Sequence, residues 1–126
     1  VLMETAKMRP MVDQIEYHPG LMRDETITFC AEQDILIEAW SPLGRGAMLK
    51  NETLAKIAKK YHITVAQLCL RWELQKGILP LPKSVKDYRI RENADIFHFD
   101  ITPEDMQAID SIERVPAKHN PDTVIF

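Results

Sequence analysis

The chain has 126 residues, 45% of them hydrophobic and 28% charged, and its 16 basic and 19 acidic side chains leave a net charge of −3. That length suits one domain with a sizeable core, and the interspersed charge excludes the basic stripe of a phosphate-tracking nucleic-acid surface. No apolar run approaches the roughly 18 residues of a bilayer span, and "VLMETAKMRP" carries acid and base from its start, unlike a signal peptide.

The chain opens on Val1 rather than Met, so the expectation is a processed or truncated piece of something longer. "LMETAKM" (2–8) reads as the end of a helix closed by Arg9-Pro10. "MVDQIE" (11–16) is a strand. Asp24 can cap a helix whose Ile27, Cys30 and Ala31 share one face. "ILIEAW" (35–40) is a second strand, nearly all apolar, as expected of a strand covered on both faces. "SPLGRG" (41–46) is a turn-rich loop.

Asn51 caps a helix with Leu54, Ile57, Ala58 and Tyr61 inward, and Thr64 caps another carrying Val65, Leu68, Cys69 and Trp72, ended by Gly77. "ILPL" (78–81) is the third strand. Thr102-Pro103-Glu104-Asp105 is a helix start with a capping hydroxyl, proline at the first position and acids in the first turn. Cys30 and Cys69 both fall on apolar helix faces. Buried thiols in a reducing compartment, hence a cytoplasmic protein, are the expectation, with a disulfide or metal pair as the alternative.

Strands that alternate with helices imply parallel pairing through right-handed crossovers, so the class is α/β. Three strands are few for such a sheet, and both apolar edges stay open. A complete eight-stranded barrel takes about 250 residues, and this chain matches three of its eight βα units. The missing strands lie elsewhere, or copies of the chain cover one another's edges.

Ligands in such folds sit at the carboxyl ends of strands, which here read "QIEYHP", "AWSPLG" and "PLPKS". The third end is the most informative. Lys83 leaves the strand as a point charge, Ser84 leads toward a helix N-terminus, and Arg89 follows six residues after Lys83. Glu92 and Asn93 can hydrogen-bond a heterocycle edge. From pattern alone, a phosphate site and an ordinary charged helix start fit equally well. Trp40 closes the second strand, where a flat side chain can stack on a planar ring or simply pack in the core. Gln14 sits mid-strand and needs a partner, either a bound amide or a protein neighbour. Gly44 and Gly46 alone are weak signals, and neither common glycine-rich nucleotide fingerprint is present.

Taken together, "VDQIEYHP", "EAWSPLGRG", "AQLCLRW", "LPLPKSV" and "RIRENADIFHFDIT" resemble the C-terminal part of aldo-keto reductases, closest to bacterial members of the kind that includes 2,5-diketo-D-gluconate reductases. The resemblance runs through nearly the whole chain in order and spacing. It implies the C-terminal portion of a (β/α)8 TIM barrel, about three βα units plus terminal helices, with 1–114 as barrel units and 115–126 as a tail. It also implies NADPH at the carboxyl face and a small carbonyl substrate for the complete enzyme. By position, Gln14 would hydrogen-bond the nicotinamide carboxamide and Trp40, where most members have Tyr, would stack on the ring. Ser41, Leu43 and Gly44 would line the pyrophosphate region, with Ala66 nearby. Lys83, Ser84 and Arg89 would hold the 2′-phosphate, Val85 would touch the same end, and Glu92 and Asn93 the adenine.

The family's Asp, Tyr, Lys and His lie on earlier strands and have no match here, so no catalytic residue is expected in this chain. Tyr17 and His18 match a structural signature instead. A non-catalytic binding or scaffold protein on the same fold is the alternative, and an upstream Tyr and Lys would decide for the enzyme. "LAKIAKKYHITVAQLCLRWE" has the outline of a helix-turn-helix, but its second helix is mostly apolar and His62 stands where a turn glycine is usual. Arg71 is expected to be a paired structural arginine. His119 and Phe126 fall in the tail, which either shapes a substrate pocket or is disordered.

Overall fold

In the computed structural model, which describes residues 2–117, β1 (Val12–Glu16), β2 (Leu36–Trp40) and β3 (Leu79–Leu81) form one parallel sheet in the order β1-β2-β3. Register sets Val12 opposite Leu36, Gln14 opposite Glu38 and Glu16 opposite Trp40, then Glu38 opposite Leu79 and Trp40 opposite Leu81. Side chains alternate across a strand, so all of these share one face. The other face presents Ile37 and Ala39, both buried in the core.

A short α1 (Leu2–Thr5) precedes the sheet, and α2 (Asp24–Glu32) joins β1 to β2. Two 3-10 turns (Gly44–Gly46 and Met48–Lys50), α3 (Glu52–Lys60) and α4 (Val65–Gln75) lie between β2 and β3. Then come α5 (Asp87–Ala94) and α6 (Pro103–Asp110). The α/β reading holds. His119 and Phe126 lie outside the described residues.

Three helix starts form as their sequences dictate. Asn51 accepts the Leu54 N–H at 3.0 Å, Thr64 and Gln67 make a reciprocal capping box, and Thr102 accepts from Asp105 with Pro103 in the first turn. Asp24 does not cap. It is already the first residue of α2, Arg23 holds the cap position, and the Asp24 carboxylate instead accepts from Arg114 at 3.0 Å. Ala31 is exposed, because the buried stripe of α2 narrows to Ile27 and Cys30. α1 ends at Thr5, short of Arg9-Pro10. β2 is covered on one face only, since Leu36 is nearly half exposed on the other.

The core centres on α4. Trp72 and Tyr17 are both buried and stack 5.2 Å apart, and Trp72 Nε1 donates to Asp110 at 2.8 Å. Lys76 Nζ reaches the same carboxylate at 2.9 Å, which fastens α6 to α4. Asp105 of α6 accepts from Lys60 and Tyr61 of the α3 end at 2.6 and 2.5 Å. Arg71 pairs with Asp100, as a structural arginine does. Ala66, Leu68, Cys69, Leu70 and Trp72 are all buried, so α4 has no free face with which to enter a DNA groove. Both cysteines are buried and free, and burial pushes the Cys69 thiol up.

Glu73 escaped sequence reading. It is fully buried on α4, and neither carboxylate oxygen has a hydrogen-bond partner among the described residues. Burial holds its pKa well above the ordinary carboxylate value, so the folded state prefers the neutral acid. The unfolded chain ionises it from about pH 4.3. Stability from the neutral form is therefore fully present below that pH and is lost as pH rises toward the folded pKa. Glu73→Gln is expected to match the native chain in urea unfolding near pH 4. Above pH 4.5 it should pull ahead, by up to about 1.4 kcal/mol per pH unit. Stability curves that stay parallel from pH 4 to 8 would contradict this account.

Candidate functional site

A cleft of about 420 Å3 opens where three segments meet. The loop after β2 contributes Leu43 and Leu49, the N-terminus of α4 contributes Thr64, Val65 and Ala66, and the stretch after β3 contributes Lys83, Ser84, Tyr88, Arg89, Glu92 and Asn93. That volume falls in the range of small-molecule sites.

Local chemistry fixes each wall. Ser84 Oγ accepts the Lys86 backbone N–H at 3.1 Å, which holds the turn into α5 and leaves the Ser84 hydroxyl proton free to donate. Lys83 and Arg89 form no ion pair with any described residue, so both charges are available. On the facing wall, Thr64 Oγ1 accepts from Gln67 N and donates to Glu92 Oε1 at 2.9 Å. Gln67 Nε2 donates to the Asp95 carbonyl at 2.8 Å, a second tie between α4 and α5. Ala66 is buried at the cleft wall, where its small side chain leaves room. The arrangement suits an anion near Lys83, Ser84 and Arg89, with hydrogen-bonding groups at Glu92 and Asn93 for a polar ring edge.

Seven residues singled out in the sequence thus meet in the cleft: Leu43, Ala66, Lys83, Ser84, Arg89, Glu92 and Asn93. The structure leaves Gln14, Trp40, Ser41, Gly44 and Val85 outside its walls. Gln14 is exposed on the open sheet face, and its Nε2 donates to Glu38 Oε2 at 3.0 Å, so a protein neighbour satisfies it. Trp40 is half-buried on that same face, with the Arg45 guanidinium carbon 5.7 Å from its ring centroid. Ser41 and Gly44 turn the loop after β2, Gly44 N donating to the Ser41 carbonyl at 2.8 Å. Gly44 has φ +55° and backs onto His18, whose Cε1 would lie 3.4 Å from an added Cβ. Val85 points into solvent.

Tyr17 and His18 serve the core. Both are buried, burial and the Asp110 carboxylate push the Tyr17 phenol up, and His18 Nδ1 lies 2.8 Å from the Pro19 carbonyl. Leu49, Thr64, Val65 and Tyr88 line the cleft without having been read as site residues. Thr64 carried a signal, since a helix-capping residue marks a helix N-terminus, but only the tertiary fold brings that terminus against α5. Among the described residues no three His, Cys, Asp or Glu side chains gather to hold a metal, and no helix is long and apolar enough to cross a membrane.

Known proteins resemble this chain in sequence and in fold. The sequence model of the Aldo/keto reductase family matches residues 1–114. Glyoxal reductase of Bacillus subtilis is 48% identical over 99% of this chain and 46% of its own length. The 9,11-endoperoxide prostaglandin H2 reductase of Trypanosoma cruzi is 43% identical over 88% of this chain and 40% of its own. The crystal structure of a mutant of Gox0644 in complex with NADPH superimposes with a TM-score of 0.94 at 38% identity, covering 99% of this chain and 47% of that one. The aldo-keto reductase MGS-M4, from a deep-sea metagenome library, gives 0.93 at 38% identity, covering 99% and 48%. The chain therefore spans a little under half the length of the curated relatives it matches, and its three parallel βα units are part of a (β/α)8 barrel. Family sequence pattern and barrel geometry agree over nearly all of its residues, and the chain belongs to the aldo/keto reductase family.

Proposed function

We propose that the cleft is the adenosine-phosphate end of an NADP(H) site, and that the chain is the C-terminal part of a reductase that turns an aldehyde or ketone into an alcohol. The observation that carries this reading is the pair of unpaired cations, Lys83 and Arg89, beside the free donor of Ser84 in one cleft of suitable volume. The NADPH bound to the related Gox0644 mutant supports it. Lys83, Ser84 and Arg89 would hold the 2′-phosphate, with Val85 at the same end and Glu92 and Asn93 at the adenine. Ser41, Leu43, Gly44 and Ala66 would border the pyrophosphate. Trp40 would face the nicotinamide, and Gln14 would exchange Glu38 for its carboxamide. When bound, the cofactor supplies the hydride. The family's Asp, Tyr, Lys and His would come from sequence outside these 126 residues, so this chain binds without turnover. Residues 1–114 would be the barrel units and 115–126 the tail.

Titration with NADPH and with NADH, followed by quenching of tryptophan fluorescence, tests the reading. Saturable binding that prefers NADPH is expected. Lys83→Ala and Arg89→Ala should each weaken NADPH binding roughly tenfold to a hundredfold and leave NADH nearly unchanged. A folded sample with no NADPH preference would sink the assignment.

The sheet generates a second expectation. Its inner face exposes Val12, Leu36, Leu79 and Leu81, and β1 and β3 have no further strand beside them among the described residues. Such edges template pairing with another chain. Sedimentation of this chain should show association that grows with concentration and falls when the remaining part of the barrel is supplied. A monodisperse monomer at every concentration would refute it.

A further inference from the structure

One aromatic side chain of the cleft has no part in the reading above. Tyr88 sits in the first turn of α5, lines the cleft and is 58% exposed. An exposed tyrosine alone is ordinary surface. Its pairing with the next residue is what distinguishes it. Arg89 Nε donates to the Tyr88 hydroxyl at 3.1 Å, and the guanidinium carbon lies 5.6 Å from the phenol ring centroid.

That hydrogen bond settles the donor arithmetic on both side chains. The phenolic oxygen accepts, so its own O–H remains to donate. Arg89 commits Nε, while its two terminal nitrogens meet no carboxylate among the described residues. A guanidinium offers those two nitrogens as a planar pair that matches two phosphate oxygens. Adjacent residues thus present a planar cationic pair and a neutral O–H in the cleft that also holds Lys83 and Ser84.

We propose that Tyr88 is a further ligand-contacting residue of this cleft, donating its phenolic proton to a phosphomonoester while its oxygen holds Arg89 toward the same anion. The inference rests on the NADP(H) reading and adds a residue that separates a 2′-phosphate from a bare ribose hydroxyl. A neutral donor selects by direction rather than by long-range attraction, which complements the two cations that already line the cleft.

Tyr88→Phe keeps the ring and removes only the hydroxyl from an exposed position. The native chain and the variant are titrated with adenosine 2′,5′-bisphosphate and with 5′-AMP. The variant should lose roughly three- to tenfold in bisphosphate affinity, the loss of one charge-assisted hydrogen bond in partial solvent, and keep its 5′-AMP affinity. The ratio between the two ligands therefore narrows, which a merely structural role would not produce. An unchanged bisphosphate affinity, or an equal loss for both ligands, overturns the role of Tyr88 and leaves the NADP(H) reading intact. A native chain, folded by circular dichroism, that fails to prefer the bisphosphate overturns that reading and this inference with it.

Discussion

Helix α4 has to satisfy neighbours on nearly every side, and most of the molecule follows from how it does so. Its inner face lays Trp72 flat against Tyr17 just beyond β1, and its first turn forms one wall of the cleft. Its last turn is fastened through Trp72 and Lys76 to Asp110 of α6. A helix buried this thoroughly cannot shift to accommodate one partner without disturbing the others. The capping box at Thr64 and Gln67 fixes where it begins, and the same two side chains then reach α5 through Glu92 and the Asp95 carbonyl. Local capping and tertiary docking share the same atoms here, so a sequence choice made to start a helix also sets the width of the cleft.

Glu73 shows the cost of the same burial. The carboxyl lies near Cys69 and Tyr17 with no hydrogen-bond partner among the described residues, and burial there favours its neutral form. The Cys69 thiol is pushed in the same direction for the same reason. A polar residue that contributes no hydrogen bond to the packed core makes that core sensitive to pH.

Much of this was legible in the sequence because it depends on chemistry within a few residues. Asn51, Thr64 and Thr102 cap as their neighbours dictate, and the three apolar runs pair in parallel. Asp24 failed as a cap because Arg114, ninety residues away, takes its carboxylate, a partner no local pattern contains. Ala31 failed because its face depends on how α2 leans on the sheet, and Leu36 because cover on a strand's second face is a property of neighbours rather than of the strand. The cleft divides in the same way. Lys83, Ser84, Arg89, Glu92 and Asn93 stand together in one stretch and could be read as a unit. Leu49, Thr64 and Val65 join them only through folding, and Tyr88 gains meaning only from the hydrogen bond that Arg89 gives it.

The two ends of the proposed cofactor site differ in what holds them. The end at Lys83, Ser84 and Arg89 is built from a turn closed by its own serine and from two helices joined by Thr64 and Gln67, all within this chain. The end at Gln14 and Trp40 lies on the open face of the sheet, beside Leu36, Leu79 and Leu81, which all stay partly exposed. There Gln14 has settled on Glu38, and Trp40 lies beneath Arg45. Hydrogen-bonding groups on an uncovered face compete with water, whereas those in a walled cleft are held in place before a ligand arrives. Preorganisation in this chain is therefore concentrated where a phosphate and a purine would sit, and the ring-stacking end takes its shape from whatever covers the sheet.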